Sequence, residues 1–126
     1  MMEYLESFYA LRGATTVDTD NSEAVDEAVK ELFEALLSKN HLTEKELGFV
    51  LFSQTSDIRS RNAAAAVRKA GYCSQVPLFC VQEAEIDGML PFCIRVLISV
   101  NHAEYNPEKM CYLRGSANLR SDLKEK

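Results

Sequence analysis

The 126-residue chain has no Trp, three Pro and five Gly. So little Gly and Pro excludes a collagen-like or low-complexity chain, and 47% hydrophobic residues exclude intrinsic disorder. No apolar run approaches the ~20 residues of a membrane-spanning helix, so no membrane partner is expected. Only two histidines occur, His41 and His102, without metal-ligand spacing. The four cysteines, at 73, 80, 93 and 111, form no C-x-x-C pair and read as reduced thiols. Gly13, Gly48, Gly71, Gly88 and Gly115 stand singly, so no Gly-rich phosphate loop is present. No metal or cofactor is expected. The opening Met1–Glu6 carries acids where an export signal carries Lys or Arg, which points to the cytoplasm. The length suits one domain spanning residues 1–126.

A formal charge of −5 with a pI near 5.0 argues against a nucleic-acid partner. That charge is local. Residues 18–34 hold seven acids against Lys30, a net of −6, and the rest of the chain is at +1. The acidic run reads as the solvated face of a helix. Between Arg59 and Arg120 six of the eight bases are Arg, and an anionic small molecule could be held there.

Phe8–Val17 is rich in aromatic and β-branched residues and predicts a strand. Asp18–Ser22 supplies turn and N-cap chemistry. The apolar positions Val25, Ala28, Val29, Leu32, Phe33, Leu36 and Leu37 then predict an amphipathic helix ending near Asn40. Thr43-x-x-Glu46 has the form of a capping box. Strands are expected at Phe49–Ser53, Val76–Val81, Phe92–Val100 and Met110–Leu113. A second helix is expected over Asn62–Ala70, closed by Gly71, and a turn at Asp87-Gly88. The order β-α-β-α-β-β-β is that of an α/β (α+β) fold, one sheet carrying two main helices, with strand pairing left open.

Arg12 and Arg95 fall inside strands. With alternating faces, Arg95 shares a side with Cys93, Leu97 and Ser99, and it is either exposed or paired with an anion. Glu83 follows an apolar strand, as an ordinary strand-end acid, an Arg partner or an acceptor for a ligand hydroxyl. Cys80 reads as a small core residue rather than a reactive thiol. Tyr112 reads as a core aromatic with a polar tip, and Arg120 as a surface charge. Together these residues suit a carboxylate-bearing small molecule and do not identify a reaction.

The run Ala10-Leu11-Arg12-Gly13-Ala14-Thr15-Thr16-Val17 closely resembles the I-R-G-A-T-T-V opening of the AroH-class chorismate mutases, the monofunctional type of Bacillus. Three further blocks resemble the same family in the same order: Cys80–Glu83, Cys93–Val96, and Tyr112-Leu113 followed by Leu119–Leu123. The resemblance covers residues 8–123. It implies a pseudo-α/β-barrel homotrimer with helices outside and active sites between subunits. It also implies a Claisen rearrangement of chorismate to prephenate in phenylalanine and tyrosine biosynthesis. In that reading Arg95 donates to the ether oxygen of the breaking C–O bond, Glu83 and Cys80 contact the ring hydroxyl, and Arg12 and Tyr112 hold the side-chain carboxylate. Arg68 comes from the adjacent subunit, and Leu119 with Arg120 from a mobile tail, after about residue 116, that covers the site. A pericyclic step needs no nucleophile, proton shuttle, metal or cofactor, consistent with so few histidines.

Asn62 and Ala65 stand where the family carries an aromatic and a lysine, with Arg59 or Arg61 available to compensate for the missing charge. Two other readings are kept. One is a Rid-type trimer that hydrolyses enamines and imines, which leaves Arg12 and the Cys80–Glu83 block without roles. The other is a non-catalytic carboxylate-binding trimer.

Overall fold

A computed structural model describes residues 8–101 and 110–118. The elements run β1 (Phe8–Thr16), α1 (Ser22–Asn40), a 3-10 turn (Glu44–Glu46), β2 (Leu47–Gln54), α2 (Ala63–Lys69), β3 (Leu78–Gln82), β4 (Cys93–Asn101), β5 (Cys111–Tyr112) and a second 3-10 turn (Arg114–Asn118). The expected order holds. Pro77 falls outside β3, where its carbonyl accepts from Val50 N at 2.9 Å.

Each helix begins and ends as its residues dictate. Asn21 Oδ1 accepts from Ala24 N at 2.8 Å, and His41 closes α1 in the left-handed conformation. The Thr43–Glu46 capping box is formed, with Thr43 N donating to Glu46 Oε1 at 2.9 Å. Asn62 Oδ1 caps α2 through Ala64 N and Ala65 N, and Gly71 follows at φ 96°.

The five strands form one mixed sheet in the order β3-β2-β4-β1-β5. β4 pairs antiparallel with both β1 and β2, whereas β2–β3 and β1–β5 are parallel. The parallel β2–β3 pair is joined through α2, the crossover that parallel strands require. A register shift lies between Leu47 and Val50 on β2, where Ser99 Oγ accepts from Phe49 N at 3.0 Å. A Cβ on Gly48 would come within 2.3 Å of that hydroxyl oxygen, so any larger residue would push the hydroxyl away from Phe49 N.

One face of the sheet packs on α1 and α2. Val25, Ala28, Val29, Leu32, Phe33 and Leu36 of α1 meet Leu11, Val50, Phe52, Ile94, Val96 and Ile98, all buried. Fully burying a Leu or Phe contributes about 1.5–3 kcal/mol, so this layer dominates the fold's stability. The other sheet face is uncovered in the isolated chain and leaves Phe8 (68%), Phe49 (43%), Phe79 (67%) and Val81 (42%) exposed.

The acidic run of α1 is not merely solvated. Asp26 pairs with Arg61 and Lys69, and Glu31 and Glu27 meet Arg114 at 3.0 and 3.6 Å. Glu34 accepts from the Tyr72 hydroxyl. Just before the helix, Asp20 accepts from Arg59 N and Ser60 N. Part of the run thus ties α1 to α2, to its leading loop and to the last 3-10 turn, while Asp18, Glu23, Glu27 and Glu31 stay exposed as a solvated face. Among the described residues no helix is long and apolar enough to cross a membrane.

Candidate active site

The uncovered sheet face carries a cleft of about 440 Å³, within the range of small-molecule sites. Arg12 and Gly13 of β1, Leu51 and Ser53 of β2, Val81 and Glu83 on the β3 side, Arg95 and Leu97 of β4, and Tyr112 of β5 line it. The register explains this convergence. Arg12 lies opposite Leu97, Ala14 opposite Arg95 and Tyr112, and Ser53 opposite both Arg95 and Val81. Residues directly opposite one another share a sheet face, so the adjacent strands β1 and β4 deliver both arginines to one side. Gly13 lets β1 sit deep enough for this. A Cβ there would come within 2.9 Å of both Cys111 O and Leu36 Cδ1.

Arg95 and Glu83 form a two-point ion pair. Nε donates to Oε2 at 2.9 Å and Nη2 to Oε1 at 3.1 Å. Ser53 Oγ donates to the same Oε2 at 2.6 Å. Desolvation by burial pushes the Glu83 carboxyl up, but the Ser53 hydrogen bond and the Arg95 hydrogen bond and charge together outweigh it, so the group sits below its ordinary value. Guanidinium has five N–H donors, of which this pair occupies two. Arg95 therefore keeps donors for a ligand while Glu83 holds its plane. Among the described residues Arg12 and Tyr112 have no ion-pair or hydrogen-bond partner of their own side chains, and both line the cleft.

Of the residues singled out from sequence, Arg12, Glu83, Arg95 and Tyr112 come together. Cys80 does not join them. It lies opposite the buried Phe52, so its side chain takes the helix-covered face, whereas Val81 takes the cleft face. There Cys80 packs near the start of α2. Burial pushes its thiol up, partly offset by the Ala63 and Ala64 amides. Arg68 is on the exposed side of α2, remote from the cleft lining. Leu119 and Arg120, and the tail beyond, lie outside the described residues. Arg61 is not free to compensate at residue 65, because Asp26 holds its Nε at 2.9 Å. Sequence reasoning missed Ser53 and Gln54. Ser53 could have been found by alternation, since it lies two positions from Leu51 on the open face.

An open sheet face with two arginines, one braced by a carboxylate, defines a small α+β protein built to hold an anionic small molecule. The particular family follows from comparison. The family model for chorismate mutase type I matches residues 8–123, and the chain belongs to that family. It is 34% identical over 114 residues to chorismate mutase AroH of Bacillus subtilis strain 168, covering 90% of each chain. It is 37% identical over 115 residues to the Thermus thermophilus protein of the same name, covering 90% of this chain and 93% of that one. A solved chorismate mutase from Clostridium thermocellum superposes with a TM-score of 0.78 at 29% identity, covering 86% of this chain and 96% of that one.

Proposed function

We infer that the chain is a chorismate mutase, an isomerase that converts chorismate to prephenate. The observation that carries this is the pairing of Arg95, braced by Glu83, with the unpartnered Arg12 and Tyr112 in one cleft of a family member. In the rearrangement the ether C–O bond breaks as a C–C bond forms, and electrons move around a six-atom ring with no net proton transfer. The protein has two tasks. It holds the dicarboxylate in its compact conformer, which Arg12 and Tyr112 serve by gripping a carboxylate. It also meets the negative charge that grows on the ether oxygen as C–O lengthens. The Arg95 donors left free by Glu83 serve that oxygen, a preorganised electrostatic contact. Glu83 also offers an acceptor for the ring hydroxyl. Leu119 and Arg120 are assigned to the closing tail by the family resemblance.

We read the chain as one domain of a homotrimer in the cytoplasm. The exposed Phe8, Phe49, Phe79 and Val81 on the open sheet face supply the apolar surface that trimer packing would cover. In this assembly Cys80 and Arg68 of one subunit complete the cleft of the next, which accounts for their separation from Arg95 within a single chain. Purified protein mixed with chorismate tests the reading by ultraviolet absorbance. Loss of the chorismate band with formation of prephenate supports it. Saturable binding without turnover would support a non-catalytic carboxylate-binding trimer instead.

A further inference from the structure

We propose that Gln54 is the positioning residue for the half of the active site that each subunit lends to its neighbour. Gln54 is the last residue of β2, beside Ser53 but on the opposite sheet face. Its amide is fully engaged. Oε1 accepts from Ala63 N at 2.9 Å and from the Cys80 thiol at 3.2 Å. Nε2 donates to Ile58 O at 3.2 Å and Arg61 O at 3.0 Å. All four hydrogen-bonding positions of the side chain are thereby used.

These four partners are the parts that must be placed together. Ile58 and Arg61 belong to the irregular stretch ahead of α2, Ala63 is the first residue of the helix that carries Arg68, and Cys80 belongs to β3. Gln54 is thus the one side chain, among the described residues, that hydrogen-bonds the α2 start, its leading loop and the Cys80 thiol at once. Gln54, Asn62 and Cys80 also line a small cavity of about 190 Å³ on this side of β3. With the thiol hydrogen committed to Gln54 Oε1, the sulfur presents lone pairs rather than a donor to that cavity. The Gln54 side chain acts through Cys80 and α2 and makes no hydrogen bond to Arg95 or Glu83. Only its main-chain carbonyl meets Glu83, accepting from Glu83 N at 2.9 Å, a bond that a side-chain substitution leaves in place. The inference rests on the reading that Cys80 and Arg68 contribute to a shared site.

The test combines steady-state kinetics with thiol titration of the intact protein by Ellman's reagent. Cys80 is half-buried, whereas Cys73, Cys93 and Cys111 are buried, so the fast-reacting thiol is that of Cys80. Gln54→Ala is expected to raise KM for chorismate about tenfold, to leave kcat within about threefold, and to speed Cys80 modification several-fold. Gln54→Glu keeps the acceptor and loses both donors. Its carboxylate disfavours the thiolate, so modification slows below wild type. General loosening of the fold would speed modification in both variants and lower the active fraction without a selective change in KM. An unchanged KM and an unchanged thiol rate in Gln54→Ala overturn the proposal. Cys80→Ala separates the two layers of argument. If it leaves KM unchanged, Cys80 is not at the substrate, while the opposed thiol rates of the Gln54 variants still decide whether Gln54 positions it.

Discussion

Arg95 meets Glu83 at two points, Nε to Oε2 at 2.9 Å and Nη2 to Oε1 at 3.1 Å, with the Arg95 side chain 54% exposed and that of Glu83 19%. A pair this open contributes little to stability, about 0–1 kcal/mol. Its two-point geometry matters more for where it holds the guanidinium. The carboxylate fixes the plane of a cation that otherwise has several rotatable bonds, and it does so at the floor of the cleft.

Arg95→Ala should therefore lower kcat by about two to three orders of magnitude, the usual effect of removing one donor to a developing oxyanion. Circular dichroism and the assembled mass should match wild type, and the denaturation midpoint should barely move. Arg95→Lys retains the charge but not the fork, and should recover only part of the rate. Activity within tenfold of wild type in Arg95→Ala would remove Arg95 from the chemistry.

Ser53→Ala removes the strongest support for the ionised form of Glu83. In the folded protein that carboxyl lies below its ordinary value even though burial pushes it up. A depressed carboxyl contributes above its unfolded pKa, and the contribution is lost as pH falls through the folded pKa. Without the Ser53 hydroxyl, desolvation is opposed only by Arg95, so the folded pKa rises. The acid limb of kcat/KM should move to higher pH in Ser53→Ala, with the plateau near neutrality unchanged. In the wild type no limb is expected near pH 6.5, because no histidine acts in the step. A profile of Ser53→Ala that overlays wild type would show that Ser53 does not set the Glu83 charge.

Much of this site was legible in the sequence because its signals are local. Arg12 and Arg95 stood out as charges inside strands, and the family blocks placed Glu83 and Tyr112 beside them. Which sheet face each residue takes was not legible. Cys80 and Glu83 are three residues apart, so alternation sets them on opposite faces, but only the pairing of Cys80 with Phe52 and of Val81 with Ser53 shows which face is covered by helix and which opens to the cleft. Pairing is a long-range property that periodicity along one strand does not contain. The same limit explains α1. Its apolar stripe was evident, but the bases that meet Asp26, Glu27 and Glu31 lie 35 or more residues away.

Asp26 offers a test of that clamp. Arg61 Nε lies 2.9 Å from Oδ1, Arg61 Nη2 donates to Oδ2 at 3.2 Å, and Lys69 Nζ donates to Oδ2 at 3.1 Å. The Asp26 side chain is only 20% exposed, and two cations lose their partner if it is removed. Asp26→Ala should destabilise by about 1–3 kcal/mol. Glu27→Ala removes a far more exposed partner at 3.6 Å and should change stability by less than about 0.5 kcal/mol. Equal midpoints for the two variants in urea would show that Asp26 does not hold α2 to α1.

Shared sites make a prediction about mixtures that a site within one chain does not. In the proposed homotrimer Arg95→Ala would damage the face a subunit keeps and Arg68→Ala the helix it lends, so each variant alone should be inactive for a different reason. When the two are unfolded together and reassembled at equal amounts, a site is intact if its face comes from the Arg68→Ala chain and its helix from the Arg95→Ala chain. With random assembly each condition holds half the time, so about a quarter of the sites, and of wild-type activity, should return. Mixing without dissociation should return nothing, which guards against contamination by active protein. If both residues served one chain's own cleft, no mixture would contain an intact site. The recovered fraction thus reads directly whether Arg68 and Arg95 meet across a subunit boundary.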